Sequence, residues 1–107
     1  MNVSCFTSEE IIAIRRSLDF LEYELEDSSL RPSGWTIKRY TDAFRSAYKK
    51  ISSKDNSDFS EDEISFLSFA LRVYIETKET HGVTRSVPDS FQEAVAARRR
   101  ILSQLYA

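Results

Sequence analysis

Side chains that commonly carry out catalysis or bind metal ions are scarce in this chain. It has a single histidine, His81, and a single cysteine, Cys5. One of each cannot form a multi-histidine metal site, a cysteine-rich zinc site or a catalytic arrangement that needs a second histidine. His81 instead precedes Gly82, a position where a cationic or donor side chain helps to end a helix. The sequence therefore predicts a protein without enzymatic activity, metal ion or cofactor.

An acidic stretch that begins at Asp55 is the best candidate for a calcium site. An EF-hand loop needs oxygen ligands at alternate positions, a Gly at its sharp turn and a Glu at its end. After Asp55 the alternate positions hold Ser57 and Phe59, and the stretch contains no Gly. We therefore exclude this motif. Ser60 and Glu63 instead form a capping box, in which each side chain bonds a free backbone N–H at the start of a helix.

The best basic patch lies on a helix predicted over residues 34–52. Five cations share the face opposite its apolar stripe and are diluted only by Asp42: Lys38, Arg39, Arg45, Lys49 and Lys50. Such a face can follow the phosphates of a nucleic acid, or it can lie in solvent or beside an acidic helix. The formal net charge of −2 gives no global support for nucleic-acid binding. We therefore favour a face that lies in solvent or beside an acidic helix, and we keep nucleic-acid binding as the alternative function.

Composition and spacing predict an all-α fold. The 107 residues include only two Gly and two Pro, too few for the many turns of an all-β protein. Capping boxes at Thr7–Glu10 and at Ser60–Glu63 mark two helix starts. Apolar residues at spacings of three and four predict four helices, near residues 8–27, 34–52, 60–80 and 88–106. We expect a single domain over residues 1–107, an up-down-up-down four-helix bundle with flexible segments at 1–6 and 52–59.

The third helix is predicted to be the central one. Its run from Ile64 to Ile75 is apolar on almost every side. Only a narrow strip is polar, and it carries Ser65, Ser68, Arg72, Glu76 and Glu79. A helix that is hydrophobic nearly all round is one that other elements surround. We therefore expect the other three helices to pack around it.

Three large side chains of the first helix project away from its main apolar stripe: Ile12, Phe20 and Tyr23. Either a further helix or another molecule has to cover them. Apolar surface in excess of what the core needs, with no chemistry for it to serve, is typical of a protein that binds other proteins. The sequence therefore predicts an adaptor, an inhibitor or immunity-type protein, or a regulatory subunit, whose protein partner it does not identify. A symmetric homodimer is one form that this binding can take.

Arg98 is the one residue that disagrees with its local pattern. It lies in the middle of the apolar stripe of the fourth helix, where a charge must reach the surface, pair with an acid or meet a partner. We predict an ion pair with an acid of the first or third helix, with Glu22, Glu24 and Glu76 as candidates. The alternative is that Arg98 is a protein-interaction residue, since Arg often dominates interfaces.

The chain is predicted to be cytoplasmic and not to contact a membrane. Its first residues lack the basic start and apolar stretch of a signal peptide. No uncharged apolar run approaches the ~18 residues that a membrane-spanning helix needs. A lone Cys5 cannot form an intramolecular disulfide, which fits a reducing compartment.

Overall fold

Four α-helices make up most of the structure. The computed structural model describes residues 1–23, 31–81 and 91–105 of the chain. The helices are α1 (Ser8–Tyr23), α2 (Ile37–Ser53), α3 (Glu61–His81) and α4 (Phe91–Leu105). No strand occurs in these ranges, so the all-α prediction is confirmed. The predicted end of the first helix and the predicted start of the fourth lie outside the described residues.

Both predicted capping boxes are present. The hydroxyl of Thr7 accepts a hydrogen bond from the backbone N–H of Glu10 at 3.1 Å, and the Glu10 carboxylate accepts one from the N–H of Thr7 at 2.8 Å. Ser60 and Glu63 repeat this exchange at 3.1 and 2.7 Å. Two backbone donors that a helix start leaves without a partner are thus satisfied at the start of α1 and again at the start of α3.

The second helix begins slightly later than predicted. Gly34 has a φ of 83°, a conformation that favours glycine, and it makes the turn before the helix. Thr36 is the N-cap, and its hydroxyl accepts from the N–H of Arg39 at 3.1 Å. The helix ends at Ser53, and the φ of 54° at its C-cap, Lys54, lies in the left-handed region. Local turn and cap geometry therefore determines both ends of α2.

The third helix packs against each of the other three, which confirms its central position. The first helix does the same, while α2 and α4 each pack on both α1 and α3. The buried side chains of α3 are Glu63, Phe66, Leu67, Phe69, Ala70, Leu71, Val73 and Tyr74. The bundle is thus built on a contact between α1 and α3 that α2 and α4 flank.

The start of α1 lies at the ends of both flanking helices. Ile11 and Ile12 line the same depression as Ile51, near the end of α2. Glu10 pairs with Arg100, near the end of α4. The first helix therefore runs antiparallel to α2 and to α4, as the predicted topology requires.

Aromatic side chains hold α2 against α3. The ring of Tyr40 meets the ring of Phe66 edge-on, with centroids 5.3 Å apart, and the ring of Phe44 lies 5.5 Å from the same ring. Phe66 is fully buried between them. Aromatic pairs at these separations are favourable beyond the area they bury, so Phe66 is a main anchor of this helix pair.

The N-terminal segment and the α2–α3 connection each place side chains in the core, and their predicted flexibility stays a prediction. Val3 belongs to a 3₁₀ helix, in which residues three apart lie on the same side, so Val3 and Phe6 are buried together. Phe59 of the connection is buried too, and its backbone N–H donates to the carbonyl of Met1 at 2.8 Å. Each segment thus carries apolar side chains that pack on the helices.

Truncation of Leu71 tests where the core lies. Leu71 is fully buried in α3, so Leu71→Ala should lower the free energy of unfolding by about 2–5 kcal/mol, the range for emptying a core leucine site. Ile37, whose side chain is 64% exposed, is the matched control, and Ile37→Ala should cost less than about 0.5 kcal/mol. Urea denaturation followed by circular dichroism measures both. A loss well under 1 kcal/mol for Leu71→Ala would contradict this arrangement of the core.

Candidate functional site

The three large apolar residues predicted to bind a partner have different surroundings. Ile12 is 50% exposed. Phe20 is only 9% exposed, and its ring meets the ring of Tyr74 edge-on at 5.8 Å. Phe20 therefore belongs to the core, because α3 covers the side of α1 from which it projects. The side chain of Tyr23 lies outside what the structure describes. Ile12 is thus the one of the three that the structure places at the surface.

Ile12 lines an open depression of about 320 Å³. The start of α1, the N-terminal 3₁₀ segment and the end of α2 form it together. Its apolar lining residues are Val3, Phe6, Ile11, Ile12 and Ile51. We call this depression, with its lining residues, the Ile12 groove.

Two cations, Arg15 and Lys54, also line the Ile12 groove, and no acid does. Both side chains are exposed, and neither forms an ion pair with a described residue. The groove therefore combines an apolar surface with positive charge that the described part of the chain leaves unneutralised. Such a surface favours an apolar ligand that carries negative charge.

Sequence reasoning found Ile12 but missed the rest of the groove. Arg15 lies three residues after Ile12, close to one helical turn away, so its place beside Ile12 follows from helix periodicity. Val3 and Phe6 carried a weak signal, because apolar residues three apart suit one side of a short helix. Lys54 comes from a distant segment and had no local signal.

The basic face of α2 is partly neutralised, and by α3 rather than by α1. Arg39 donates to both carboxylate oxygens of Asp62, with distances of 3.1 and 2.7 Å, and its guanidinium lies 4.1 Å from the centre of a Trp35 ring. The ammonium of Lys50 lies 2.8 Å from a carboxylate oxygen of Glu63. Two of the five cations predicted as a nucleic-acid site therefore hold α2 against the start of α3.

The other three cations of this face remain exposed: Lys38, Arg45 and Lys49. Two acids lie near them. Asp42 is on the same exposed stripe of α2, and Glu22 of α1 lines a shared depression with Arg45 and Lys49. The positive charge left for phosphate contacts is therefore smaller than the sequence pattern indicated.

Arg98 does not make the predicted ion pair with a described residue. Neither Glu22 nor Glu76 pairs with it, and Glu24 lies outside the described residues. Its Nε is buried and has no hydrogen-bond partner. Buried donors in native structures are nearly always satisfied, so this atom calls for an explanation.

Arg100 makes the connection to α1 that was expected of Arg98. Its Nε donates to both carboxylate oxygens of Glu10, at 3.0 and 2.9 Å. The buried line of α4 runs through Ala94, Ala97 and Ile101, so Arg98 lies beside this line and Arg100 lies on the side that meets α1. The rotation of α4 about its axis, which packing determines, thus decides which arginine reaches Glu10.

The two capping-box glutamates are both buried, and the surroundings of each favour the ionised form. Burial by itself raises the pKa of Glu10, but the hydrogen bond from the N–H of Thr7 and the pairing with Arg100 outweigh it, so the pKa lies below its ordinary value. Burial likewise raises the pKa of Glu63, and the bonds from Lys50 and from the N–H of Ser60 lower it further than burial raises it. Opposite charge and donated hydrogen bonds favour the carboxylate form.

In the described ranges, no group of three or more His, Cys, Asp and Glu side chains is placed to hold a metal ion. The side chain of His81 lies outside what the structure describes, and the thiol of Cys5 is exposed. None of the described helices is long and apolar enough to cross a membrane.

Comparison of the chain with known protein families, with curated proteins and with solved structures finds no match. Its function is therefore argued from its own surface.

Acid should destabilise the protein through Glu10. Its pKa is lower in the folded state than its ordinary value of 4.5, so the stabilisation it contributes is present above about pH 4.5 and is lost as the pH falls through the folded value. Glu10→Gln keeps a side chain that suits a capping box but lacks the charge. We expect the free energy of unfolding to fall less steeply with acid in this variant, as measured by urea denaturation between neutral pH and pH ~3.

The exposed neighbour Glu9 provides the control for this experiment. Glu9→Gln should keep the acid dependence of the original chain, because Glu9 is not a capping-box residue and forms no ion pair with a described residue. Identical acid dependence in the original chain and in Glu10→Gln would contradict the role assigned to the Glu10 carboxylate.

Substitution by Met should affect the stability of the protein differently at Arg98 and at Arg100. Arg98→Met removes a buried donor that has no partner, so it should leave stability unchanged or raise it. Arg100→Met leaves the buried Glu10 without its cation and should lower stability by about 1 kcal/mol, a low value because Arg100 is itself half exposed. Thermal melts of both variants measure this. Strong destabilisation by Arg98→Met would show that Arg98 has a structural partner.

Proposed function

We propose that this protein is a non-enzymatic module that binds another protein at the Ile12 groove. The observation that carries the proposal is the half-exposed Ile12 beside an apolar depression with two unneutralised cations. An adaptor, an inhibitor or immunity-type protein, and a regulatory subunit all work through such a surface. Its place of action, in this proposal, is the cytoplasm, as expected from the single cysteine.

The size of the groove indicates what it accepts. Its volume of about 320 Å³ is at the low end for ligand pockets, which run from roughly 300 to 1,000 Å³. The groove therefore suits a few side chains of a partner. Removing the exposed apolar surface of Ile12 from water would contribute to the affinity at about 25 cal/mol for each Å², part of which offsets the entropy lost on association.

The charge of the groove specifies the partner further. Arg15 and Lys54 favour a segment that carries Asp or Glu next to its apolar residues. A symmetric dimer through this groove would bring the same surface of two copies together, and with it the cations of both. Like charges facing each other oppose such an interface, so we favour a different protein as the partner over a second copy.

Nucleic-acid binding by α2 remains the alternative, with less support. Arg39 and Lys50 are engaged with α3, and the three exposed cations have Asp42 and Glu22 near them. Each phosphate contact adds a salt-dependent increment of affinity, and fewer cations leave fewer such contacts.

Selection of peptides from a displayed random library tests the proposed function. Enriched peptides should combine large apolar residues with Asp or Glu. Ile12→Ser should weaken their binding by about tenfold or more, as expected for a residue at the centre of an interface, and Arg15→Glu should weaken it as well. Ile37→Ser removes an exposed isoleucine outside the groove and should leave binding unchanged.

Three outcomes would contradict the proposal. They are a selection that enriches nothing, enriched peptides that are basic, and binding that survives Ile12→Ser. Light scattering at tens of micromolar adds a separate outcome, because a dimer that Ile12→Ser dissociates would make a second copy the partner. Tight, salt-dependent binding of mixed-sequence DNA or RNA that is lost in Arg45→Gln would favour the alternative function.

A further inference from the structure

A second depression, of about 300 Å³, lies between α3 and α4, and the proposed docking surface does not use it. One wall carries the polar strip of α3, with Ser65, Ser68 and Arg72. The facing wall, from α4, carries Arg98 with Leu102 and Leu105. The sequence anomaly at Arg98 is thereby resolved in part, because Arg98 faces the polar strip of α3 rather than an apolar helix.

The charge of this depression is unbalanced. Two guanidinium groups, of Arg72 and Arg98, line it together with the hydroxyls of Ser33, Ser65 and Ser68, and none of its lining residues is acidic. Neither arginine forms an ion pair with a described residue. The depression therefore presents positive charge and hydroxyl donors with no lining acid to neutralise them, which favours an anionic ligand.

Arg98 provides the second argument. Its Nε is buried without a hydrogen-bond partner, and an unsatisfied buried donor destabilises a protein unless something else bonds it. Arg100, two residues on, shows that an arginine of this helix does pair where the described chain supplies an acid. No described acid pairs with Arg98, so its guanidinium is left for a ligand that enters the depression.

We propose that this depression binds an oxyanion, a carboxylate or a phosphate group, that carries an apolar substituent. Arg72 and Arg98 donate to its oxygens, since the planar guanidinium matches the geometry of both groups. Ser65 and Ser68 offer hydroxyl donors beside them. Phe69 and the two leucines of α4 line the same depression and contact the apolar substituent.

This site is independent of the Ile12 groove. The two depressions share no lining residue. The inference therefore goes beyond the proposed function, and failure of the peptide-binding experiment leaves it untouched.

Titration of the full chain with small anions, followed by backbone amide chemical shifts in a buffer of low ionic strength, tests the inference. Three probes are used: inorganic phosphate, acetate and octanoate. We expect shifts concentrated at residues 65–72 and 98–105, with octanoate binding more tightly than acetate because its chain buries apolar surface. Added sodium chloride should weaken binding by screening the charges.

Arg72→Gln and Arg98→Met should each weaken binding of the probe by about tenfold or more, since each removes a charge-assisted donor. Arg99→Gln is the matched control, because Arg99 is exposed on the same helix and does not line the depression. Arg72 is exposed in α3, so its variant tests the site independently of any change that the variant at Arg98 makes in the packing of α4. Circular dichroism verifies folding of each.

The outcomes separate the sources of the anion. If only phosphate binds saturably, the ligand class is a phosphate ester. If only acetate and octanoate bind, the ligand class is a carboxylic acid. Either result supports the site. The proposal is overturned if no probe binds, if shifts are spread over the whole surface, or if Arg99→Gln weakens binding as much as Arg72→Gln does.

Discussion

Two buried carboxylates tie this fold together. Glu10 and Glu63 each complete the capping box that begins a helix, and each also bonds a cation on another helix, Arg100 or Lys50. Burying a carboxylate is unfavourable unless hydrogen bonds and opposite charge offset the loss of water. The capping N–H and the distant cation offset it together, so the start of α1 is coupled to α4 and the start of α3 to α2.

This coupling also determines where charge is left at the surface. Arg39, Lys50 and Arg100 are held by acids at the starts of α1 and α3. Because a cation that serves an internal pair has less to offer a ligand, the basic face of α2 is a weaker binding surface than its sequence indicates. Cations that form no ion pair with a described residue also line the Ile12 groove and the depression between α3 and α4, where no lining residue is acidic. Both proposed sites rest on this uncompensated positive charge.

The two proposed sites differ in what they recognise. The Ile12 groove is mainly apolar and lies where three segments meet, so it offers area to a protein surface. The α3–α4 depression combines polar and apolar lining residues and lies between two helices that pack closely, so it offers donors to a small anion with an apolar substituent. Both are built on side chains of packed helices, and a preorganised support reduces the entropy lost when a ligand binds.

The sequence by itself determined the four helices, both capping boxes and the central position of α3, because these depend on spacing and on contacts within a few residues. Of the candidate sites it indicated Ile12 and the anomaly at Arg98. Only the tertiary structure decided that Phe20 is covered, that the first six residues pack on the core, that Lys54 lies beside Ile12 and that Arg100 rather than Arg98 reaches Glu10. An apolar stripe covers a broad arc of a helix, so it leaves the rotation of that helix open. The rotation of each helix about its axis is determined by the packing of all four helices together. It determines which side chains from distant segments come into contact.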